Sequence, residues 1–571
     1  MRTLTADLLL IHPPAVFEFR NRRDICFPYW STTGDVSITP LYEHFPLGFK
    51  TIQSYLRQQG FDVKIVNLSS VLLMFPKLNA EKLLGRFRAL VFGIDLHWMV
   101  HVQGALEIAR LVKSIHPEVP ILFGGFSATY FAEELILYSQ VDMVLKGYDT
   151  HEPMRILLDT VKGDRRLEDV PNLVWKDKDK LVHSNETVHR PRTFLSHIDW
   201  SELRFPSGSS SFPVPEIISS QCVGCAFNCN WCGSSREAFH RMMKVEDPVV
   251  LKDPRETELE MDTLRQVSNI ERFHFYSVGN YNEGRERLLK FFDMLGSVRF
   301  RSVSFEFFHL PDDSLVEAMV SANAKTSISL SPQSHDFRIA SLAGRYAFTM
   351  DQMEAWIERA LDRGIMEITI WFCIGMQGQT VESVWQTLRY CEKLLEKFRG
   401  KRVVPVICPM LPFLDPGSTF FEKPEAYGYR LFFRGVEDHK MGMQRASLIN
   451  RMNYETRWMS RKTIVETGYE AIGLLFEMKG ASGLLPSKAA RDVASKLDDA
   501  LRFLRVVHEI DCIQDEVGRA HELERIGDEI RRRNQEVLFS GVQSQKFPVY
   551  QEIGHRWFDE IPVDLRGAKR S

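Results

Sequence analysis

Cys225, Cys229 and Cys232 fall in the run Gln221-Cys222-Val223-Gly224-Cys225-Ala226-Phe227-Asn228-Cys229-Asn230-Trp231-Cys232-Gly233, at a Cys-x3-Cys-x2-Cys spacing. An iron–sulfur cube ordinarily takes four protein sulfurs, so three thiolates on one tight loop leave one iron open to a small ligand. Cys222 extends the run to Cys-x2-Cys-x3-Cys-x2-Cys, which also invites zinc. Paired zinc knuckles, however, stand about a dozen residues apart so that two loops can fold around the metal, and a three-residue gap is too tight. A disulfide framework does not suit a chain of 571 residues that shows no secretory context. Cys222 is read as a strand-end residue rather than a ligand.

With aromatic Trp231 just before its last cysteine, the loop resembles the signature of the radical S-adenosylmethionine (radical SAM) superfamily. The resemblance implies a 4Fe–4S cluster on Cys225, Cys229 and Cys232. It also implies that the open iron chelates the amino and carboxylate groups of S-adenosylmethionine, which one electron cleaves to a 5′-deoxyadenosyl radical. A low-potential donor, flavodoxin or ferredoxin, is implied with it.

The elements that must position this loop follow from periodicity. Residues 7–147 alternate apolar runs with amphipathic helices, which predicts a doubly wound parallel sheet. Strands are expected at Leu8–Ile11, Val63–Val66, Ala89–Ile94, Ile121–Phe123 and Met143–Leu145. Helices are expected at Leu47–Gln59, stopped by Gly60, and at Leu106–Ile115. Ligands of such sheets sit at the carboxyl ends of the strands. Those ends carry His12-Pro13-Pro14, Asp95-Leu96-His97, Gly124-Gly125-Phe126 and Gly147-Tyr148-Asp149-Thr150. Their order, with Pro46-Leu47-Gly48 opening the first helix, resembles the cobalamin-binding domain of cobalamin-dependent radical SAM proteins. The resemblance implies a Rossmann-like cobalamin-binding domain over residues 1–150, with Asp95, His97, Gly124, Gly125 and Gly147 as cofactor contacts. The Asp-x-His-x-x-Gly motif that supplies a lower axial histidine in many cobalamin domains is absent, because Ala15-Val16-Phe17 follows the prolines. Cobalt is therefore expected without a nitrogen below it; His97 and His101 flank Trp98 on the loop after the third strand, and one of them is the candidate to approach cobalt or the corrin edge.

Residues 151–215 are expected to be an interdomain connector, with a short strand at Pro171–Trp175 and a charged turn at Lys176–Lys180. From residue 216 the βα alternation resumes, with strands at Ile217–Ser220, Arg272–Tyr276, Val303–Phe307, Thr326–Leu330, Glu367–Phe372 and Val403–Cys408. Six units suit a partial (β/α)6 barrel over 216–425, whose catalytic groups collect at the strands' carboxyl ends. There the resemblance implies that Gly279, Glu306, Ser331, Gln333 and Gly375, with Trp231, border S-adenosylmethionine. No residue is singled out as catalytic. Residues 426–571 show helical periodicity, as in Ile464-Val465-Gly468-Ile472-Leu475 and Leu501-Leu504-Val507-Ile510, broken at Gly480–Gly483. This third, helical domain is expected to close over the barrel mouth. Pro412–Ser418 and Asn453–Trp458 interleave polar and aromatic residues as a substrate pocket does.

A net charge of −3 and a pI near 6.6 give no basic field for nucleic acid. No apolar stretch approaches the roughly 18 residues of a membrane-spanning helix, and a cytoplasmic location is expected. The reading is an α/β enzyme with a C-terminal helical domain, whose family resemblance implies methylation of an unactivated carbon of a small-molecule or lipid-like substrate. The same architecture also runs radical cyclisation or rearrangement, and a radical SAM enzyme with an empty Rossmann-like domain stays open.

Overall fold

The computed structural model describes residues 3–29, 47–163, 166–201, 216–278, 284–345, 347–409 and 414–539. Its first strand, β1 (Leu4–His12), is completely buried from Leu8 to Ile11, as expected of a strand covered on both faces. β1 pairs in parallel with β2 (Val63–Asn67) on one side and β3 (Phe87–Asp95) on the other, and β4 (Ile121–Gly124) and β5 (Met143–Leu145) follow beyond β3. Alternation divides the core. Leu8 and Leu10 pack under helices Leu47–Gln58 and His151–Val161, and Leu9 and Ile11 under Val102–Ile115.

The sheet does not end at five strands. β6 (Leu173–Lys176) adds antiparallel to β5, and β7 (Val182–Ser184) adds antiparallel to β6, giving seven strands in the order 2-1-3-4-5-6-7. The first part of the expected connector is thus a helix and a hairpin of the first domain. Asn172 fixes the hairpin's entry: its side chain donates to the His189 carbonyl at 3.0 Å and accepts from the His189 N–H at 3.1 Å.

β8 (Thr193–Phe194) belongs to the strap that follows. β9 (Glu216–Ser220) opens a second large sheet, while β10 (Cys222–Gly224) and β11 (Val249–Lys252) join β8 in a small three-stranded sheet. β12 (His274–Val278), β13 (Ser302–Phe307), β14 (Thr326–Gln333), β15 (Glu367–Ile374) and β16 (Val403–Pro409) continue from β9 in sequential parallel order, as expected for a partial barrel. Val303, Phe305, Phe307, Ile328, Leu330, Ile368, Ile370 and Phe372 are buried on the helix side, Phe305 edge-on to Phe292 of helix Arg285–Gly296. The alternate residues Ser304, Glu306, Ser329, Ser331, Thr369 and Cys373 are less buried and line the concave side. Hydroxyl side chains on that face, with Glu306, make it polar where a closed barrel would be filled by branched apolar ones.

The C-terminal part is mainly helical, with helices Val436–Met443, Arg461–Ser482, Ser487–Asp511 and Glu516–Phe539. Arg461–Ser482 ends within the expected break at Gly480–Gly483, where Gly483, with a φ of 83°, caps it. It packs against β16 and helix Val381–Lys397, on the barrel's flank. The mouth is instead approached by a two-stranded ribbon, β17 (Tyr429–Leu431) and β18 (Tyr454–Thr456). Helix Glu516–Phe539 reaches back to the first residues: Asn534 accepts from the Phe27 N–H at 2.8 Å and donates to the Ile25 carbonyl at 2.7 Å. No helix among the described residues is long and apolar enough to cross a membrane.

Candidate functional site

Cys222 lies within β10, buried and paired with Leu251, and the loop turns sharply after it. Cys232 N–H donates to the Cys229 carbonyl at 3.1 Å, and Asn230 N–H to the Ala343 carbonyl at 2.9 Å, tying the loop to the segment after β14. Gly344 completes that clamp. With φ at 82° and the Asn228 carbonyl where a β-carbon would sit, only glycine fits. Burial pushes the Cys225 thiol up to about 11 and raises those of Cys229 and Cys232 as well, so deprotonation must come with metal binding. Among the described residues no three His, Cys, Asp or Glu side chains are gathered into a ready-made metal group. The three thiols share the loop and would be drawn together by the cluster.

The barrel end beside them carries orphaned polar atoms that suit a bound polar group. Gln333 has a φ of 68° where β14 slips register against β15, is 2% exposed, and holds its Nε2 4.0 Å from Cys229 Sγ. Its Oε1 is buried without a partner, as is Trp231 Nε1. A non-glycine residue held at positive φ costs about 1–3 kcal/mol and marks a position fixed by its surroundings. Glu306 accepts from Ser331 Oγ at 3.3 Å and Tyr276 Oη at 3.4 Å. Burial raises its pKa, opposed by the charge of Arg345. Arg345, which sequence reasoning missed, stacks on Phe308 at 4.3 Å and on Phe227 of the cysteine loop at 5.2 Å, with Nε and Nη1 unpartnered. Gly375, at φ 97°, donates its N–H to Gln379 Oε1 at 2.8 Å, and its carbonyl accepts from Tyr429 Oη at 3.2 Å. Gln379 therefore ties the turn rather than facing the lumen. Gly279, Pro412 and Phe413 lie outside the described residues.

At the first sheet's carboxyl edge, Asp95 Oδ2 meets His12 Nδ1 at 2.9 Å. Burial raises the Asp95 pKa, but the His12 hydrogen bond and the charges of His12, His97 and His101 outweigh it and hold the carboxyl below its usual range. His97 is exposed, its ring 6.3 Å from that of Phe126. Gly125 has φ 110°, and a β-carbon there would stand 2.7 Å from the His97 N atom, so its first duty is to pack on the neighbouring loop. Gly124 has no close neighbour beyond the Leu145 carbonyl at 4.0 Å and leaves room for a ligand. Gly147, at φ 119°, donates its N–H to Thr129 Oγ1 at 3.1 Å.

The two ends meet. A β-carbon on Gly233, next to Cys232, would stand 2.9 Å from Phe126 Cε1 and 3.1 Å from Asp415 Cβ. Asp415 Oδ2 accepts from the Gly233 N–H at 3.1 Å, and Tyr130 Oη donates to Glu422 at 2.6 Å. Sequence alone carried no signal for these contacts, whose partners stand 182 and 292 positions apart.

A doubly wound domain abutting an open half-barrel with a three-cysteine loop defines the class. Family models agree: the B12 binding domain matches residues 35–157 and the radical SAM superfamily residues 220–391. The chain is a cobalamin-binding radical SAM protein, and its cofactors are a 4Fe–4S cluster, S-adenosylmethionine and cobalamin. It is similar to the hopanoid C-3 methylase of Methylococcus capsulatus, at 27% identity over 231 residues, 37% of this chain. The match spans only 41% of that relative's length. Among solved structures it resembles the radical S-adenosylmethionine methyltransferase TsrM from Kitasatospora setae with cobalamin and cluster bound, at TM-score 0.55 and 12% identity over 89% of this chain and 100% of that one. It also resembles the cobalamin-dependent radical enzyme OxsB with aqua-cobalamin bound, at TM-score 0.54 and 12% identity over 99% of this chain and 82% of that one. At these identities the likeness is one of fold.

Proposed function

We propose that the protein transfers a methyl group from S-adenosylmethionine to an unactivated carbon of a small-molecule or lipid-like substrate. The observation that carries this reading is the contact of Phe126, after the Gly124-Gly125 turn, with Gly233, after Cys232, which sets the carboxyl ends of both sheets against each other. Bound there, the cluster and S-adenosylmethionine would supply an adenosyl radical and cobalamin a transferable methyl group. Cys225, Cys229 and Cys232 would hold the cluster. Glu306, Ser331 and Gln333 present carboxylate, hydroxyl and amide groups to the polar parts of S-adenosylmethionine, with Gly375 and Trp231 at its borders. Asp95, Gly124 and Gly147 edge the cobalamin site. The protein's part is positioning and exclusion of water, for which the Tyr429–Tyr454 ribbon is placed. The methylase name of the hopanoid relative favours this outcome over cyclisation or rearrangement. A flavodoxin or ferredoxin would supply the electron, in the cytoplasm.

Anaerobically reconstituted protein, given methyl-deuterated S-adenosylmethionine and a host extract, is expected to yield a product heavier by one labelled methyl group, together with 5′-deoxyadenosine. A product of unchanged mass would overturn methyl transfer and leave radical cleavage standing.

A further inference from the structure

β15 and β16 are neighbours in the barrel sheet, and their register sets Cys373 directly opposite Cys408. Paired residues of parallel strands point to the same face, and adjacent strands lie about 4.8 Å apart, so the two thiols stand side by side. Both are free and half-buried, whereas Phe372, Ile374, Ile407 and Pro409 around them are buried. The face they share is the concave one that carries Glu306, Ser331 and Thr369. They lie at the same barrel end as the cysteine loop: Phe372, next to Cys373, pairs with Gln333, whose Nε2 is 4.0 Å from Cys229 Sγ. The Cys373 carbonyl accepts from Gln379 Nε2 at 2.9 Å, which ties it to the turn that holds Gly375. A hydrogen bond with Cys408, and burial with it, raise the Cys373 pKa well above the usual thiol range, so the sulfur keeps its hydrogen. A hydrogen on sulfur is held more weakly than one on an unactivated carbon, and a hydrogen on a hydroxyl oxygen or on water more strongly. Of the serine, threonine and cysteine side chains described on this face, the thiols are therefore the ones from which an alkyl radical takes a hydrogen atom downhill.

We propose that the Cys373–Cys408 thiol pair is a hydrogen-atom donor, which ends a carbon radical left at this barrel end with no methyl group to capture. The proposal rests on the radical reading of the barrel. In the step, an S–H bond breaks and a C–H bond forms, leaving a closed-shell carbon and a thiyl on sulfur. Hydrogen exchange between two like sulfurs is thermoneutral, so either thiol serves. One electron from the flavodoxin- or ferredoxin-class donor and one proton from solvent then restore the thiol. The pair gives radical cleavage without substrate a harmless end, separate from methyl transfer.

The test gives full-length, cluster-loaded protein, equilibrated in D2O and reduced with titanium(III) citrate, unlabelled S-adenosylmethionine and no substrate. Both thiols are then S–D, and the 5′-deoxyadenosine formed is expected to carry a single deuterium by mass spectrometry. In Cys373→Ser combined with Cys408→Ser, which keeps size and hydrogen bonding but not the weak bond, that deuterium is expected to be lost, and either single variant should keep part of it. A purely structural role for the pair predicts no change of label. Apart from turnover, phenylarsine oxide, which clasps two adjacent thiols, is expected to map to Cys373 and Cys408 in the cluster-loaded protein and to lose that site in either single variant. An arsenical that does not bind there would show the thiols apart and overturn the proposal. Deuterium that persists in the double variant would assign the hydrogen to another exchangeable group, such as the Tyr454 hydroxyl, and overturn it too. Wild-type 5′-deoxyadenosine without deuterium removes the thiol pair alone, whereas no 5′-deoxyadenosine removes the radical reading and this proposal with it.

Discussion

Arg345 is 5% exposed, stacked on two phenylalanines, and its charge opposes the effect of burial on the thiols of Cys225 and Cys229. A desolvated cation facing the cluster loop stabilises whichever oxidation state carries more negative charge, which is the reduced one. Arg345→Met is therefore expected to move the cluster's midpoint potential to a more negative value in an EPR-monitored titration, and Arg345→Lys to retain most of it. Alanine at Cys225, Cys229 or Cys232 is expected to abolish iron uptake and reductive cleavage of S-adenosylmethionine. Cys222→Ala should keep both, because Cys222 is held within β10 opposite Leu251; iron loss in that variant equal to the other three would reassign the ligands. Gly124→Ala is the cleaner probe of the cobalamin edge, since any side chain at Gly125 would strike the Leu96–His97 backbone before reaching a cofactor.

Between elements, the pair Lys252–Glu260 joins β11 to helix Pro254–Arg265, both side chains 1% exposed, and Glu260 also accepts from Trp200 Nε1 and Ser219 Oγ at 3.2 Å each. Lys252→Met leaves that carboxylate buried and uncompensated, and a loss of about 3–5 kcal/mol is expected from the drop in thermal midpoint. Lys252→Met combined with Glu260→Leu should recover much of it. His439, on helix Val436–Met443, sits among Phe131, Phe421 and Phe433, and burial pushes its pKa down to about 4. The unfolded imidazole protonates near 6.5, so the stability of this seam is complete above that pH and is lost as pH falls from about 6.5 toward 4, by about 3 kcal/mol in all. His439→Gln is expected to flatten the melting-temperature profile across that window; an unchanged slope would place the acid sensitivity elsewhere. The parallel strands were legible in the sequence because burial on both faces leaves continuous apolar runs such as Leu8–Ile11. The β6–β7 hairpin was not, since β7 reads Val182-His183-Ser184, polar at its centre, and draws its order from pairing with β6. The cysteine loop was legible because its three cysteines stand within eight positions of one another. His12 with Asp95, and Arg345 with Phe227, were not, because each pair is made by the fold.

On the scale of the whole molecule, the first domain is held from several directions: Tyr130 on Glu422, the Val436 N–H on Glu134 at 2.8 Å, and the Ile25–Phe27 backbone on Asn534. Removing residues 516 onward takes away the last of these holds. Limited proteolysis of that truncated protein is expected to cut near Cys26 at a rate well above the full chain, and equal rates would show that the helix is not what protects the segment. The same hold orders events in time. The Phe27 N–H meets its partner 507 positions later, and a ribosome adding about 5–20 residues per second needs about 25–100 s to supply it. For that interval the Ile25–Phe27 segment lacks this partner, although Ala446 and Arg451, which bond the Cys26 backbone, are made earlier, and cobalamin bound to the nascent first domain would add stability before synthesis ends.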